Sequence, residues 1–315
     1  MTQPHPPART RGADRMWAVA LAAAFWGTSA LMREPLAAHL PAPTIVFYEH
    51  VIIVLCLSPW IVPAMRALAA AGPRVIAAML VIGGGSSALA ATLFTAAFTV
   101  GDPITPQVLQ KLQPVFAIVL AVWLLGERLT PRFAWYAVPA LLGAWLLAFP
   151  DPFAVGVQSA QAAALAIGAA LLWGAGTVLG RIAGASLSPI HVTAMRFTIA
   201  LPVALGLSLA TGSSLAIGAA HLPLLLALAL IPGLAALALY YWALGRTAAT
   251  RATLAELAFP LVSAVVGVVF LGASLGWSQW VGAAIVLIAV TAMTLSRSRR
   301  PSGVIAPDIA PAPQP

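Results

Sequence analysis

The sequence predicts an all-α membrane protein that crosses the bilayer ten times, and two observations lead to that fold class. Of the 315 residues, 61% are hydrophobic and 8% are charged, and the mean hydropathy is +0.98. Because soluble domains carry about 25% charged residues, a soluble core could not bury this much apolar surface. The apolar residues also form long unbroken runs, without the alternation of apolar and polar residues that an outer-membrane β-barrel requires.

Ten apolar segments have the length of a transmembrane helix, since a bilayer core of about 30 Å takes about 20 apolar residues per helix. Turns rich in glycine, proline and arginine separate these segments. They cover residues 16–36, 44–65, 74–99, 104–125, 132–149, 160–181, 189–210, 222–244, 250–271 and 277–296.

The arginines predict the orientation, because cytoplasmic loops of membrane proteins are enriched in basic residues. With ten spans, almost every arginine outside the spans falls on one side, together with the N-terminal tail 1–15 and the C-terminal tail 297–315. Both tails are therefore predicted to be cytoplasmic, the second of them disordered, in the inner membrane of the cell. Arg33, near the end of the first span, is the exception. Nine or eleven spans would scatter the arginines over both sides.

The two halves of the chain are similar to each other in sequence, and each half holds five predicted helices. Because five is odd, the second half must enter the membrane from the opposite side. That arrangement is an inverted repeat, common in secondary transporters, with the substrate site near the midplane between the halves. The predicted halves are residues 16–149 and 160–296. The alignment places 24–52 on 171–199 and 109–147 on the segment from 255, with Trp26, Gly27, Pro114 and Gly126 on Trp173, Gly174, Pro260 and Gly272.

Two five-helix halves, a Trp-Gly pair early in each half and the sequence LLGERLTP at 124–131 resemble the EamA domain of the drug/metabolite transporter superfamily. The resemblance covers about residues 16–296. It implies a ten-helix carrier, in many cases an exporter of amino acids or other metabolites. This chain departs from the family pattern where the second half reads FLGASLGW instead of a second Gly-Glu, and where the first half has Glu49 in place of the more usual arginine, found here at Arg196.

Four ionised residues fall deep within the predicted spans: Glu49, Lys111, Arg196 and Glu256. Each would cost about 2.5–3.5 kcal/mol at the centre of a helix in lipid, so each must face protein or water. From their depth along the helices we predict two neighbouring pairs, Glu49 with Lys111 and Arg196 with Glu256. These pairs either hold helices together or line the transport pathway, and the sequence leaves both interpretations open.

A polar stripe surrounds the only lysine of the chain. Gln107, Gln110, Lys111 and Pro114 are spaced i, i+3, i+4 and i+7, so they share one face of a helix, while Gln113 points elsewhere. A polar stripe on a membrane helix is expected to face the interior of the protein. We therefore predict that it contributes to a substrate pathway.

Prolines inside two predicted helices are candidate hinges. Pro114 has no N–H to donate, which would leave the carbonyl of Gln110 available, and Pro260 would do the same for Glu256. A freed carbonyl beside a charge is a plausible ligand group. The alternative is that both prolines are structural, since helix prolines are common in membrane proteins.

Aromatic residues form the other group of candidate pathway residues. Trp26 and Trp173 are equivalent in the two halves and lie mid-span, away from the interfacial belts in which tryptophan is enriched. Phe94 aligns with Tyr240, and Tyr241 follows it. A cavity with aromatic walls and a few polar groups suits a small amphipathic solute, although each ring could instead pack in the core or against lipid.

The sequence argues against an enzyme and predicts a transporter. It has no glycine-rich nucleotide loop ending in Lys-Ser/Thr, no HExxH and no clustered acidic pair, so we expect no cofactor and no metal site. The expected activity is secondary transport, chiefly export, of a small metabolite driven by a proton gradient or by exchange. A drug efflux carrier and a channel-like permease are the alternatives. The expected partners are the solute, the lipid bilayer and protons as a candidate coupling ion, with no nucleic acid, in a monomer or a homodimer.

Overall fold

The computed structural model describes residues 15–100, 104–126, 133–148, 151, 157–244, 255 and 258–298. Within these ranges the chain is helical throughout and contains no strand. The all-α prediction is therefore confirmed for the part of the protein that the structure describes.

The described part of the first half holds eight α-helices. A π-helical segment, Ile82–Leu89, joins α4 to α5, and a 3₁₀ turn, Gln110–Leu112, joins α6 to α7. The helices are α1 (Met16–Gly27), α2 (Ser29–Ala37), α3 (Ala42–Ala70), α4 (Pro73–Val81), α5 (Ala90–Ala97), α6 (Ile104–Leu109), α7 (Gln113–Leu125) and α8 (Phe133–Ala148).

The described part of the second half holds six α-helices. A 3₁₀ turn, Ala219–His221, leads into α11, and π-helical segments join α11 to α12 (Ala229–Ala235) and extend α13 (Val266–Phe270). The helices are α9 (Val157–Gly184), α10 (Pro189–Ala210), α11 (Leu222–Leu228), α12 (Ala236–Leu244), α13 (Ala258–Val265) and α14 (Trp277–Ser298).

Six helical stretches among the described residues are long and apolar enough to cross a membrane, and three shorter ones are also apolar. Every predicted span overlaps a described helix, but a count of ten crossings stays a prediction. The six are Ala42–Ala70, Pro73–Ala97, Thr105–Leu125, Ser159–Gly184, Pro189–Ala210 and Ala219–Tyr240, and the shorter three are Ala134–Leu146, Leu261–Phe270 and Trp277–Ala289.

The predicted first span, 16–36, is divided at Thr28. The Thr28 hydroxyl donates to the carbonyl of Phe25 at 2.7 Å, and the Thr28 N–H bonds the carbonyls of both Ala24 and Phe25. A threonine that bonds back to its own helix can bend it. The turn therefore separates α1 from α2, the helix that carries Arg33.

The most extensive helix contacts all join the first half of the chain to the second. Helix α3 packs on α10, α8 on α14, α1 on α12 and α13, and α9 on α5 and α7. Alanine dominates the buried positions of the largest hydrophobic cluster. Small residues let helix backbones approach closely in a membrane, where packing replaces the hydrophobic effect as the driving force.

Gly126 and Gly272, which the sequence alignment places on each other, both adopt a left-handed backbone, with φ of +67° and +65°. Gly126 is the residue that ends α7, and Gly272 follows the π-helical extension of α13. A left-handed backbone just after a helix lets N–H groups bond the last carbonyls of that helix. Glycine adopts this conformation without strain because it has no Cβ.

Replacing either of these two glycines with alanine should therefore destabilise the protein. We expect Gly126→Ala and Gly272→Ala each to cost about 1–2 kcal/mol, the penalty for a left-handed conformation with a Cβ. Thermal unfolding of the purified protein in detergent measures the effect. Gly206→Ala is the matched control, because Gly206 lies inside α10 with no described atom within 4 Å of an added Cβ. Equal unfolding temperatures for all three variants would contradict the prediction.

Candidate functional site

A cavity of about 740 Å³ lies between the two halves of the protein. That volume falls within the range of about 300–1,000 Å³ that is typical of small-molecule sites. Helices of both halves contribute to its wall, which brings together most of the residues that the sequence singled out. The predicted residues on the wall are Trp26, Glu49, Phe94, Gln110, Lys111, Trp173, Arg196 and Tyr240.

The remaining predicted residues are not part of the described wall. Gln107 is fully buried and does not line the cavity. Glu256 and the side chain of Tyr241 lie outside the described residues, as do the side chains of Pro114 and Pro260. The predicted Arg196–Glu256 pair therefore stays a prediction.

Glu49 pairs with Arg33, so the predicted Glu49–Lys111 pair is wrong. Nη2 of Arg33 donates to Oε1 and Oε2 of Glu49 at 3.0 and 2.9 Å, and Nη1 donates to Oγ1 of Thr95 at 2.6 Å. Both side chains of the pair are 9% exposed. The pair links α2 to α3, and Thr95 ties it to α5. A charge-assisted pair of this kind offsets part of the cost of burying each ion.

The sequence contained a signal for Arg33 that pointed to this pair. Arg33 is the arginine that does not fit the one-sided distribution of basic residues. A basic residue on the sparsely charged side of a membrane protein needs a local reason, and a buried carboxylate at the same depth supplies one.

Lys111 and Arg196 make other contacts on the cavity wall. Nζ of Lys111 lies 4.1 Å from the centroid of the Phe259 ring, within the range of a cation–π interaction. Nε of Arg196 donates to Oγ of Ser87 at 2.9 Å, which joins α10 to the π-helical segment of the first half. Each contact crosses between the two halves.

The polar stripe differs from its prediction because the helix tightens at Gln110–Leu112. A 3₁₀ turn advances about 120° per residue and an α-helix about 100°, so three residues rotate the rest of the helix by about 60° more. Gln113 consequently reaches the cavity, where its Nε2 donates to Oγ1 of Thr177 at 3.1 Å. The Gln110 carbonyl accepts from the Gln113 N–H, so it is not left without a partner as predicted.

Two aromatic pairs connect the halves across the cavity. The ring centroids of Trp26 and Tyr240 lie 5.1 Å apart, and those of Trp173 and Phe94 lie 5.2 Å apart. The alignment placed Trp26 on Trp173 and Phe94 on Tyr240. The two contacts are therefore equivalent: in each, the tryptophan of one half touches the aligned aromatic residue of the other half. All four rings line the cavity.

The glycine after each tryptophan makes matching contacts as well. A Cβ on Gly27 would lie 2.7 Å from the carbonyl oxygen of Phe259, and one on Gly174 would lie 3.1 Å from that of Gln113. Placing Pro114 on Pro260 also places Gln113 on Phe259. Equivalent glycines thus let α1 approach α13 and α9 approach α7 in the same way.

The two ends of the cavity differ. The same alignment places Arg33 on Gly180, and a Cβ on Gly180 would meet no described atom within 4 Å. The wall includes the buried Arg33–Glu49 pair as well as Gly184 and Pro189, which are exposed at the two helix ends that flank the turn between α9 and α10. The part of the wall at the ion pair is therefore buried, while the part beside that turn is exposed.

Comparisons with known proteins agree with this architecture. A riboflavin transporter, ImpX, of Fusobacterium nucleatum subsp. nucleatum (strain ATCC 23726 / VPI 4351) is 28% identical over 284 residues, which cover 86% of this chain and 94% of that protein. A solved crystal structure of a protein 18% identical in sequence superposes with a TM-score of 0.57, over 91% of this chain and 99% of the other, and it shows the fold alone.

A family model identifies the chain more directly. The model of the EamA-like transporter family matches residues 15–149 and again residues 160–295. The two matches together cover most of the protein, including every described residue that lines the cavity. The chain belongs to the EamA-like transporter family, and it is a multi-pass membrane transporter rather than an enzyme.

Proposed function

We propose that this transporter is a secondary carrier of the plasma membrane that exports a small amphipathic metabolite, such as an amino acid, by alternating access. The observation that carries the proposal is the pair of equivalent tryptophan contacts across the cavity between the halves. In an inverted repeat, the halves can exchange conformations and open a central site to each side in turn. Equivalent contacts on both sides of one cavity support that exchange.

The composition of the wall supports an amphipathic solute. The aromatic rings offer apolar surface, while Gln110, Lys111, Gln113 and Thr177 offer donors and acceptors beside them. A few polar groups within apolar walls orient a small ligand and distinguish it from others. The side chains of the polar stripe would therefore contact the solute.

The direction of transport is inferred from the proposed orientation. With both termini in the cytoplasm, the turn between α9 and α10 faces the cytoplasm, so the open end of the cavity lies where an exporter collects its substrate. The Arg33–Glu49 pair then closes the outer end. Opening that end requires the pair to separate or move, and either a proton gradient or exchange of solutes could drive the cycle.

Counterflow in proteoliposomes tests the proposal. Labelled amino acids should enter in a saturable manner and faster when the same solute is loaded inside, and Lys111→Ala should reduce this uptake by at least about tenfold, since charged contacts to a ligand are worth about 1.5–3 kcal/mol. Arg66→Ala, an exposed position of α3, is the control variant. Flux proportional to the gradient without stimulation from inside would indicate a channel, and no uptake of any amino acid would favour the drug-efflux alternative.

Riboflavin is a second candidate substrate, and one observation favours it. The relative named a riboflavin transporter aligns over 86% of this chain, and the four aromatic rings of the cavity could stack on a flat ring system. Labelled riboflavin therefore belongs in the same counterflow panel. Riboflavin counterflow without amino-acid counterflow would replace the amino-acid proposal and leave the carrier mechanism in place.

A further inference from the structure

We infer that His50 is a proton-binding site that couples transport to a proton gradient. The inference rests on the carrier proposed above and names its coupling ion. Nε2 of His50 binds a proton when the outer end of the cavity opens and Glu49 leaves Arg33. It releases the proton when that ion pair forms again.

His50 is a buried ionisable residue of α3 with one ring nitrogen left over. Its side chain is 2% exposed. Nδ1 lies 2.7 Å from the carbonyl oxygen of Val46, and because a carbonyl only accepts, Nδ1 carries the hydrogen of this bond. Nε2 is buried and has no hydrogen-bond partner among the described residues. Since buried polar atoms are nearly always paired, Nε2 calls for a functional reason, and it is the atom that a second proton would occupy.

The position of His50 is where the two halves of the protein meet. Its ring centroid lies 5.3 Å from that of Phe197 on α10. The alignment of 24–52 with 171–199 places His50 on Phe197 itself, so each residue touches its own counterpart. Two counterparts in contact straddle the symmetry axis between the halves, which in an inverted repeat runs in the plane of the membrane. Coupling-ion sites of such transporters lie there, near the midplane and between the repeats.

The counter-charge that a protonated His50 needs is engaged elsewhere in this conformation. Among the described residues, the charged groups that act on His50 are Glu49 on its own helix, Arg33 on α2 and Arg196 on α10. Arg33 holds Glu49 at 2.9 Å, so the carboxylate is not available to His50. A second proton would therefore place a charge and an unpaired N–H among buried atoms, which is costly.

The second half of the protein shows what the exchanged conformation offers. There the guanidinium carbon of Arg196 lies 5.5 Å from the ring centroid of Phe197, the residue that follows it. Arg196 and Phe197 are the counterparts of Glu49 and His50. When the halves exchange conformations, the carboxylate of Glu49 comes to lie beside the imidazole of His50 in the same way. A carboxylate that close stabilises an imidazolium by charge attraction.

Glu49 therefore changes partner during the cycle. Arg33 supplies its counter-charge while the outer end is closed, and protonated His50 supplies it when that end is open. Opening without a counter-charge would leave a carboxylate unpaired in the protein interior, which is strongly unfavourable. Proton binding and opening are thus linked, so a proton gradient directed into the cell drives the return step of the carrier.

On the outward step the solute must supply the counter-charge instead. Glu49 lines the cavity, so a group of the solute can reach it. The ammonium group of an amino acid meets this requirement, which agrees with the solute class proposed above. The solute and the proton then use Glu49 in turn, and the cycle exchanges one for the other.

Electron paramagnetic resonance of the full chain in lipid nanodiscs tests the inference without a transported solute. Spin labels on Ala38→Cys and Ala220→Cys, in a Cys56→Ser background, report the distance between the outer ends of α2 and α11, which pack on each other. Both labelled positions are exposed. Lowering the pH from about 8 to about 5, the range in which histidine changes charge, should add a population with a longer distance.

Two variants of His50 remove the proton site, and in both the added population should be lost. His50→Phe introduces the residue that the second half has at the equivalent position, Phe197, and keeps a ring in the contact. His50→Gln keeps a polar group of similar length. Because the two changes differ in chemistry, the test stays decisive if one of the variants fails to fold.

His39 and His221 are the alternative source of a response to acid. Their ring centroids lie 6.0 Å apart, next to the labels, and two protons there would repel each other. The combined variant His39→Gln and His221→Gln should nevertheless keep the longer-distance population. Loss of that population in this control, its persistence in either variant of His50, or no response of the unmodified sequence to acid would overturn the inference.

Counterflow separates this result from the fate of the carrier proposal. Counterflow of an amino acid without an acid-dependent change of distance would leave the carrier standing and overturn the proton site. An acid response that depends on His50, together with flux that shows no counterflow, would support the proton site and overturn the carrier mechanism.

Discussion

Replacing Arg33 with methionine should lower the free energy of unfolding by about 3–5 kcal/mol, because Glu49 would stay buried with its charge unpaired. Methionine keeps much of the length of the side chain but removes the Nη2 donor to Glu49 and the Nη1 donor to Thr95. Thermal unfolding of the purified protein in detergent, detected by tryptophan fluorescence, measures the loss.

A double-mutant cycle separates the pair from the general loss of an arginine. The variant that combines Arg33→Met with Glu49→Gln should recover much of the stability, since it removes both charges and leaves no ion unpaired. Arg66→Met, at an exposed site on α3, should change stability by less than about 0.5 kcal/mol. If the double variant were as unstable as Arg33→Met alone, the ion pair would not be the source of the loss.

Gly27→Ala should destabilise the protein by about 1–3 kcal/mol, the range for forcing extra atoms into a well-packed site. The added Cβ would lie 2.7 Å from a backbone oxygen, that of Phe259, and 3.0 Å from Cβ of Val262. Backbone atoms cannot move aside as a flexible side chain would, so α1 must shift away from α13. Trp26, the residue before Gly27, would shift with it and weaken its contact with Tyr240.

The equivalent variant in the second half provides a graded comparison. A Cβ on Gly174 would lie 3.0 Å from the Ala117 nitrogen and 3.1 Å from the Gln113 oxygen, so Gly174→Ala should cost less than Gly27→Ala but still destabilise. Gly180→Ala, on the same helix as Gly174 but with no described atom near the added Cβ, should be neutral or stabilising in the same thermal unfolding measurement. If Gly27→Ala and Gly180→Ala had the same unfolding temperature, the close approach of α1 and α13 would be disproved.

Composition and internal similarity were enough to predict the all-helical fold of the described residues and eight of the residues that line the cavity. Trp26 and Trp173 could be found because a repeat marks equivalent positions, and equivalent positions in a symmetric arrangement converge on the same central space. Glu49 and Arg196 could be found because a charged residue within an apolar span must face the protein interior or a water-filled cavity instead of lipid.

The partners of these residues could not be predicted as readily. Position along a helix gives the depth of a residue in the membrane, but it does not say which neighbouring helix lies beside it. Lys111 was therefore paired with Glu49 on depth alone, whereas Arg33 on α2 is the residue that contacts Glu49. Gln113 was placed on the wrong face because regular α-helical geometry was assumed through a segment that is locally a 3₁₀ turn.

The packing of α1, α3, α5, α7 and α8 against helices of the second half has a consequence for the synthesis of the chain. The ribosome makes the first five predicted spans before any of their principal partners exist. Those helices must wait in the membrane with their alanine-rich faces turned to lipid or to the insertion machinery. Assembly can finish only when α14, the last of the described helices, arrives to cover α8, so a chain truncated before α14 would leave α8 without its main partner.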